Sequence, residues 1–215
     1  MTRDPYNVAV FASGGGTNFQ ALLDHRVAQP LWRVAVLVMN REAGAAERAK
    51  TAGVPVRIVA TKDVPADVVA ARTLEVLDAF GIDVILLSGY LRLLPAEVVR
   101  RYRGRILNIH PALLPAFGGK GMYGMNVHRA VVEAGARESG ATVHFVTEAY
   151  DDGDVLAQAR VPVLPHDTPE DLAARVLGVE HRLYPRAVDH LCTALAEGLT
   201  PDRMADLVDG DAGAP

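Results

Sequence analysis

Val8-Ala9-Val10-Phe11-Ala12-Ser13-Gly14-Gly15-Gly16-Thr17-Asn18-Phe19-Gln20-Ala21-Leu22-Leu23 joins an apolar, strand-length run to a three-glycine turn and the opening of a helix. A strand that is apolar on both faces belongs in a parallel sheet covered on both sides by helices. The glycines accept backbone angles that other residues resist. A helix opening straight after them turns free N–H groups and the positive end of its dipole toward the strand's carboxyl end. An anion is expected there, held by Gly15, Gly16, Thr17 and Asn18, and bulk at Gly16 is expected to block its approach. A tight strand-to-helix turn without a ligand would use the same residues.

Further β-branched runs recur at Val34–Val38, Val54–Val59, Val84–Leu87 and Ile106–Ile109. Stretches of helical spacing or alanine-rich composition separate them, clearest at Ala43–Ala52 and Pro65–Phe80. In the second of these, Val68, Val69, Leu74, Val76, Leu77 and Phe80 form a broad apolar face. The pattern changes after His110. A glycine-rich loop over Phe117–Asn126 leads to a short helix at Val127–Ala134. Two runs, Thr142–Val146 and Val155–Val163, then follow without a long helix between them and are expected to form a hairpin. Thr168-Pro169-Glu170-Asp171 reads as an N-cap, a first-turn proline and early acids, opening a helix toward Ala196 with Gly178 and Pro185 as points of bending or breakage. The expected fold is α/β and doubly wound: a mostly parallel sheet flanked by helices, with an antiparallel part near the C-terminal edge. Residues 1–198 are expected to form a single domain, and 199–215 a loosely structured tail.

The 215 residues suffice for one large core, burying roughly 70% of the unfolded surface. Half the residues are apolar, yet no apolar run approaches the ~20 residues of a membrane span, and the N-terminus lacks a signal-peptide layout. A cytoplasmic protein is expected, with no membrane partner. The single Cys192 excludes an internal disulfide and a multi-cysteine zinc site, and its apolar neighbours suit a buried helix position. A net charge of −4 without a basic block argues against a nucleic-acid surface and leaves a small anion as the expected partner. The glycine turn is not the dinucleotide fingerprint, because Phe19 stands where its third glycine belongs. Gly118-Gly119-Lys120-Gly121 is not a nucleotide-phosphate loop either, since no Ser or Thr follows Lys120.

Ile106-Leu107-Asn108-Ile109-His110-Pro111-Ala112-Leu113-Leu114-Pro115 places an amide and an imidazole two residues apart at a strand end, so both leave the same face. Together they can donate hydrogen bonds to an oxygen that becomes negative during acyl transfer. They could also merely satisfy loose backbone groups where the strand ends. The run from Asn108 to Pro115 resembles the signature Asn-x-His-Pro-Ser/Ala-Leu-Leu-Pro of the 10-formyltetrahydrofolate-dependent formyltransferases. Ser13–Asn18 is similar to the substrate-phosphate loop of the ribonucleotide-using, purine-biosynthetic branch of that family. Gly140-Ala141-Thr142-Val143-His144-Phe145-Val146-Thr147-Glu148 resembles the segment leading to the family's essential aspartate, which by counting is Asp151. Asp152 is a rival by one residue. Outside this context the cluster would read as a solvated turn, and His144 as a structural histidine facing away from Val143 and Phe145. Tyr90, Leu91, Arg92, Leu93 and Leu94 resemble the family's pterin-pocket segment, with Thr147 and Asp151 also on the folate side. Glu180, in Glu180-His181-Arg182-Leu183-Tyr184-Pro185, matches a substrate-binding glutamate.

The resemblance spans about residues 6 to 190. It implies that the formyl group of the cosubstrate 10-formyltetrahydrofolate passes to the amine of glycinamide ribonucleotide. The transfer would proceed by direct attack through a tetrahedral intermediate, without a metal or a covalent enzyme intermediate. Asn108 and His110 would stabilise the oxyanion, while Asp151 keeps His110 protonated and helps to move a proton. The same central motif serves methionyl-tRNA formyltransferase and formyltetrahydrofolate deformylase, whose extra domains are not expected in a chain of this length. A noncatalytic phosphate- or nucleotide-binding module is the reading from another class. Oligomeric state, the role of loop 117–126, kinetic order and folate chain-length preference stay open at this level.

Overall fold

The computed structural model describes residues 4–25 and 30–208. Among the described residues, five strands form the parallel part, β1 (Tyr6–Ala12), β2 (Trp32–Met39), β3 (Val56–Ile58), β4 (Val84–Leu87) and β5 (Ile106–His110), and β6 (Glu138–Phe145) begins the antiparallel part. β7 (Val155–Pro162) and β8 (Leu207–Val208) complete the sheet, whose order is β3-β2-β1-β4-β5-β6-β7-β8. Strands β1 to β5 pair in parallel, whereas β5–β6 and β6–β7 are antiparallel. The strand order reverses beside β1, between it and β4. A crevice at the carboxyl ends of an α/β sheet is expected at such a point.

The continuous apolar reading of β1 resolves into two buried faces. Val8, Val10 and Ala12 pack with Phe19 and Leu22 of α1 (Thr17–Asp24) and with α6 (Pro169–Glu197). Ala9 and Phe11 face Val69 and Leu77 of α3 (Ala66–Ala79) and Val98 and Val99 of α4 (Ala96–Arg101). The short α4 has no counterpart in the sequence reading. The helices α2 (Ala45–Thr51) and α5 (Met125–Glu133) lie close to their expected positions. Cys192 is buried, as its neighbours suggested.

Helix α6 begins at the expected cap, where Thr168 Oγ1 accepts from the Asp171 N–H at 3.1 Å and Asp171 Oδ2 accepts from the Thr168 N–H at 3.0 Å. It runs unbroken through Gly178 and Pro185. Burial of Leu183, Tyr184, Val188 and Leu191 against the sheet offsets the local cost of these residues. The fully buried Tyr184 hydroxyl reaches the carbonyl oxygens of Leu87 at 3.0 Å and Leu107 at 3.1 Å, tying α6 to β4 and β5.

Strand β6 starts earlier than Thr142. Its first half passes so close to β7 that a side chain at Gly140 would overlap the Ala159 carbonyl. The tail expected to be loose from Leu199 is instead anchored over part of its length. The Met204 N–H reaches the Leu156 carbonyl at 2.8 Å, and β8 pairs in parallel with β7. Residues 209–215 of the expected tail lie outside the described residues. Among those described, no helix is long and apolar enough to cross a membrane.

Tyr184→Phe should lower stability by about 1–3 kcal/mol, because the deleted hydroxyl serves buried carbonyls. Urea unfolding of the two proteins measures the difference. An unchanged midpoint would show that the phenol does not secure α6.

Candidate active site

The carboxyl ends of β1, β4 and β5 open into a cavity of about 1130 Å³, closed by loop 117–126 and by α6. Ser13 ties the loops together at its floor: its Oγ donates to Asn40 Oδ1 at 2.7 Å and accepts the Leu91 N–H at 3.1 Å.

At one end, strand register assembles the polar residues. Antiparallel pairing sets Asn108 opposite His144 and His110 opposite Thr142, so four side chains share one face. Asn108 Nδ2 lies 3.0 Å from His144 Nε2. His110 Nε2 lies 2.8 Å from the Phe117 carbonyl oxygen and donates to it, since a carbonyl can only accept. Its Nδ1 faces Asp151 Oδ2 at 3.5 Å, longer than a direct hydrogen bond. Asp151 Oδ2 accepts the Gly119 N–H at 2.9 Å, and Oδ1 stands 3.6 Å from His144 Nε2.

Asp151 occupies left-handed backbone space at φ 52°, which swings its carboxylate inward, while Asp152 is exposed. The carboxylate that meets the histidines is therefore the one that motif counting selected. Thr142 and Gln158, which the sequence reading did not single out, brace the chain after His110. Thr142 Oγ1 donates to the Ala112 carbonyl and accepts the Leu114 N–H at 3.0 Å, and Gln158 Nε2 donates to the Leu114 carbonyl at 3.0 Å. The Leu114–Pro115 bond is cis.

The expectation of a standing imidazolium is corrected by burial. Desolvation pushes the His110 pKa below its ordinary value despite the opposing pull of Asp151 and the Phe117 carbonyl. The free protein thus holds His110 neutral at pH 7, with its proton on Nε2 and a lone pair on Nδ1. For Asp151, burial works upward, while His144 and His110 in their protonated forms and the Gly119 N–H pull the carboxyl below its ordinary value.

At the other end, Asn18 Nδ2 donates to Glu180 Oε2 at 3.0 Å. Glu180 is buried, and desolvation raises its pKa to about 7. Ser13 and Asn18 line the cavity; Gly15, Gly16 and Thr17 sit beside them, outside its wall. Gly16 has φ 73°, and an added Cβ would come 2.7 Å from the Ala45 Cβ, so this glycine serves the packing of α2. Gly15 faces open space. Of the expected folate residues, Tyr90, Leu91, Arg92, Leu93 and Leu94 all line the cavity, with Leu91 and Leu93 exposed to it. Thr147 does not; its hydroxyl accepts the Ala149 N–H at 3.2 Å in a local turn.

His128 also went unread. It is buried in the cavity wall on α5, and its Nδ1 has no hydrogen-bond partner among the described residues. The Asn18 Oδ1 is in the same condition. Buried polar atoms of this kind are ones that a ligand can satisfy. The only local sign of His128 was a polar side chain between the apolar positions Val127 and Val131.

The family model described as formyl transferase matches residues 6–188. The chain belongs to the formyl transferase family. Among its relatives, the chloroplastic phosphoribosylglycinamide formyltransferase of Vigna unguiculata is 50% identical over 188 residues, covering 86% of this chain and 60% of that protein. The chain thus spans about three fifths of that relative's length. The phosphoribosylglycinamide formyltransferase of Escherichia coli (strain K12) is 36% identical, with 85% of each chain covered. The crystal structure of glycinamide ribonucleotide transformylase 1 from Symbiobacterium toebii superposes with a TM-score of 0.82 at 40% identity, over 95% of each chain. Among the described residues of this formyl transferase, no three His, Cys, Asp or Glu side chains gather as a metal site.

Glu180 makes the stability of the ligand-free protein depend on pH. Its folded pKa lies above its unfolded value, so its contribution is full below about pH 4.5 and is lost as pH rises through about 7. Relative to Glu180→Gln, the wild-type protein should lose up to ~3 kcal/mol of unfolding free energy across this window, a comparison that cancels the opposite trend from His110, His128 and His181, whose pKa values burial lowers. Urea titrations from about pH 4.5 to 8 test this. Parallel curves for the two proteins would rule out the buried acid as the cause.

Proposed function

We propose that the protein transfers the formyl group of 10-formyltetrahydrofolate to the amine of glycinamide ribonucleotide, a step of purine biosynthesis. The observation that carries this reading is the meeting of Asn108, His110 and Asp151 at one end of a cavity whose other end holds the Asn18–Glu180 pair. The names and extent of the E. coli and Symbiobacterium relatives support it. The cavity suits a flat heteroaromatic donor, with Leu91, Leu93 and Tyr90 as walls and Arg92 at the rim. Glycinamide ribonucleotide would present its phosphate to Gly15, Gly16, Thr17 and Asn18, and a hydroxyl or its amine to Glu180.

The donor supplies a formyl carbon bound to a nitrogen that leaves with a proton. Asn108 offers an N–H to the formyl oxygen as negative charge gathers on it. His110 takes the proton released by the attacking amine onto Nδ1, and the resulting Nδ1–H strengthens the hold on that oxygen. Asp151 stabilises the imidazolium so formed, and His110 then gives the proton to the departing nitrogen. One proton leaves the amine and one reaches the folate, so the exchange balances without a metal. In this account Asp151 acts on an imidazolium made during turnover rather than on one present beforehand.

We read residues 1–198 as the formyltransferase domain, with the following segment serving as its edge strand. We place the protein in the cytoplasm on composition, although the Vigna relative is chloroplastic, so the fold does not dictate the compartment. The first experiment is a turnover assay with the purified chain. Formyl transfer that requires both substrates supports the proposal. Formate release without the amine would make the protein a deformylase, and ligand binding without product would make it a binding module.

Asn108→Ala and His110→Ala should each lower turnover by at least ~100-fold with little change in substrate affinity. Asp151→Asn should depress turnover too, while Asp152→Asn should behave as wild type. Steady-state rates paired with calorimetric affinities check all four. A near-normal rate in any of the first three removes that residue from the mechanism.

The phosphate loop is better tested at Gly15 than at Gly16, because bulk at Gly16 strikes α2. Gly15→Val should weaken glycinamide ribonucleotide binding at least ~10-fold, keep folate affinity and leave the unfolding midpoint near wild type. Calorimetry with each ligand reads the result. Loss of folate affinity alone would reverse the two ends of the cavity.

A further inference from the structure

His144 lies outside the catalytic set that the motifs marked, yet it is only 2% exposed and lines the reaction end of the cavity. Its Nδ1 is 2.8 Å from the Phe145 carbonyl oxygen. A carbonyl only accepts, so Nδ1 carries a proton. In the neutral ring Nε2 then bears a lone pair, and the atom facing it at 3.0 Å, Asn108 Nδ2, can only donate. The chain of hydrogen bonds has a single consistent direction, from Asn108 through His144 to the Phe145 carbonyl. An Asn108 amide turned the other way would set its oxygen against the Nε2 lone pair.

The backbone is shaped to hold this arrangement. β5–β6 register places Asn108 directly across from His144. The β6–β7 pairing shifts between Val143 and His144, an irregularity of the kind that re-aims side chains near active sites. A side chain at Gly153 would overlap the Phe145 carbonyl, so glycine there leaves that acceptor in place.

We propose that His144 is a positioning residue for formyl transfer. As the neutral Nδ1–H tautomer it fixes the Asn108 amide so that one N–H is spent on the imidazole and the other is left for the formyl oxygen. The inference rests on the formyl-transfer reading and adds to it the residue that makes Asn108 a donor rather than an acceptor at the reaction centre. Asp151 Oδ1 stands 3.6 Å from the same Nε2, farther than the Asn108 amide at 3.0 Å.

The test compares His144→Leu and His144→Gln, each alone and in the Asn108→Ala background. His144→Leu should reduce kcat about 10- to 100-fold with both KM values within about threefold of wild type. His144→Gln, whose Oε1 can accept the same N–H, should recover most of that loss. In the Asn108→Ala background, His144→Leu should cost less than about threefold, because the group through which it acts is gone. Nitrogen-15 NMR of the wild-type protein without substrates should show His144 protonated at Nδ1 and unprotonated at Nε2 at neutral pH.

An equal loss in both backgrounds, a Gln variant no better than Leu, or a loss confined to KM would overturn the proposal. So would the opposite tautomer, which is read on wild-type protein and does not depend on a variant folding. Wild-type protein that binds both substrates but forms no product would instead overturn the formyl-transfer reading, and the positioning role with it.

Discussion

The His110 imidazole is held between a backbone carbonyl and a carboxylate inside a wall that nearly excludes water, and this end of the cavity is organised around that placement. Burial keeps the ring neutral at rest, and the same low dielectric strengthens its interaction with any charge that forms beside it. The partners come from one short backbone stretch. Phe117 supplies the carbonyl for His110, and Gly119 supplies the N–H that holds Asp151. Gly118 between them has no room for a side chain, because Leu114 and Asp151 occupy the space. Loop 117–126 is therefore more than a cover, since its first residues set the geometry of both His110 and Asp151. Thr142 and Gln158 lock the preceding turn, so His110 cannot drift from this seat.

The far end of the cavity follows the same electrostatic logic with an acid in place of a base. Glu180 is buried, which favours its neutral form in the free protein and outweighs the opposing pull of the Asn18 amide that donates to its carboxyl. Such a residue works against stability at neutral pH, and its retention is understandable where a ligand group replaces the missing solvation. Asn18, in the first turn of α1, reaches this acid, so one side chain links the end of the glycine turn with α6. The sheet holds the two ends apart: β1 delivers Asn18, β5 delivers Asn108 and His110, and Tyr184 secures α6 across β4 and β5.

Much of this was legible in local sequence. Strand runs of both-face apolar residues, helical stretches between them and a glycine turn after β1 were enough to expect a doubly wound sheet. The run from Asn108 to Pro115 marked residues that line the cavity, Asn108 and His110 among them. Cap chemistry located the start of α6, because a Thr-Pro-Glu-Asp sequence carries its own hydrogen bonds. Other features failed for equally physical reasons. Gly178 and Pro185 weaken a helix in isolation, but α6 is held by packing along the sheet. The tail beyond Leu199 is mostly polar or small, yet Met204 and Leu207 pack against the core and a neighbouring strand edge supplies backbone partners that the tail could not signal.

What the sequence determined by itself was the kind of sheet, the polar pair on β5 and the acidic turn that follows β6, all of them set by the chemistry of near neighbours. Tertiary structure decided that Asp151 rather than Asp152 faces inward, that His110 is neutral in the free protein, and that His144 meets Asn108 instead of serving as an isolated structural histidine. Strand parity put His144 on a face but could not say which residue lay across from it. That depends on the β5–β6 register, which couples positions far apart in the chain. The sign of the His110 shift likewise depends on how much solvent the assembled walls exclude, and burial is a property that no residue carries until the others have packed around it.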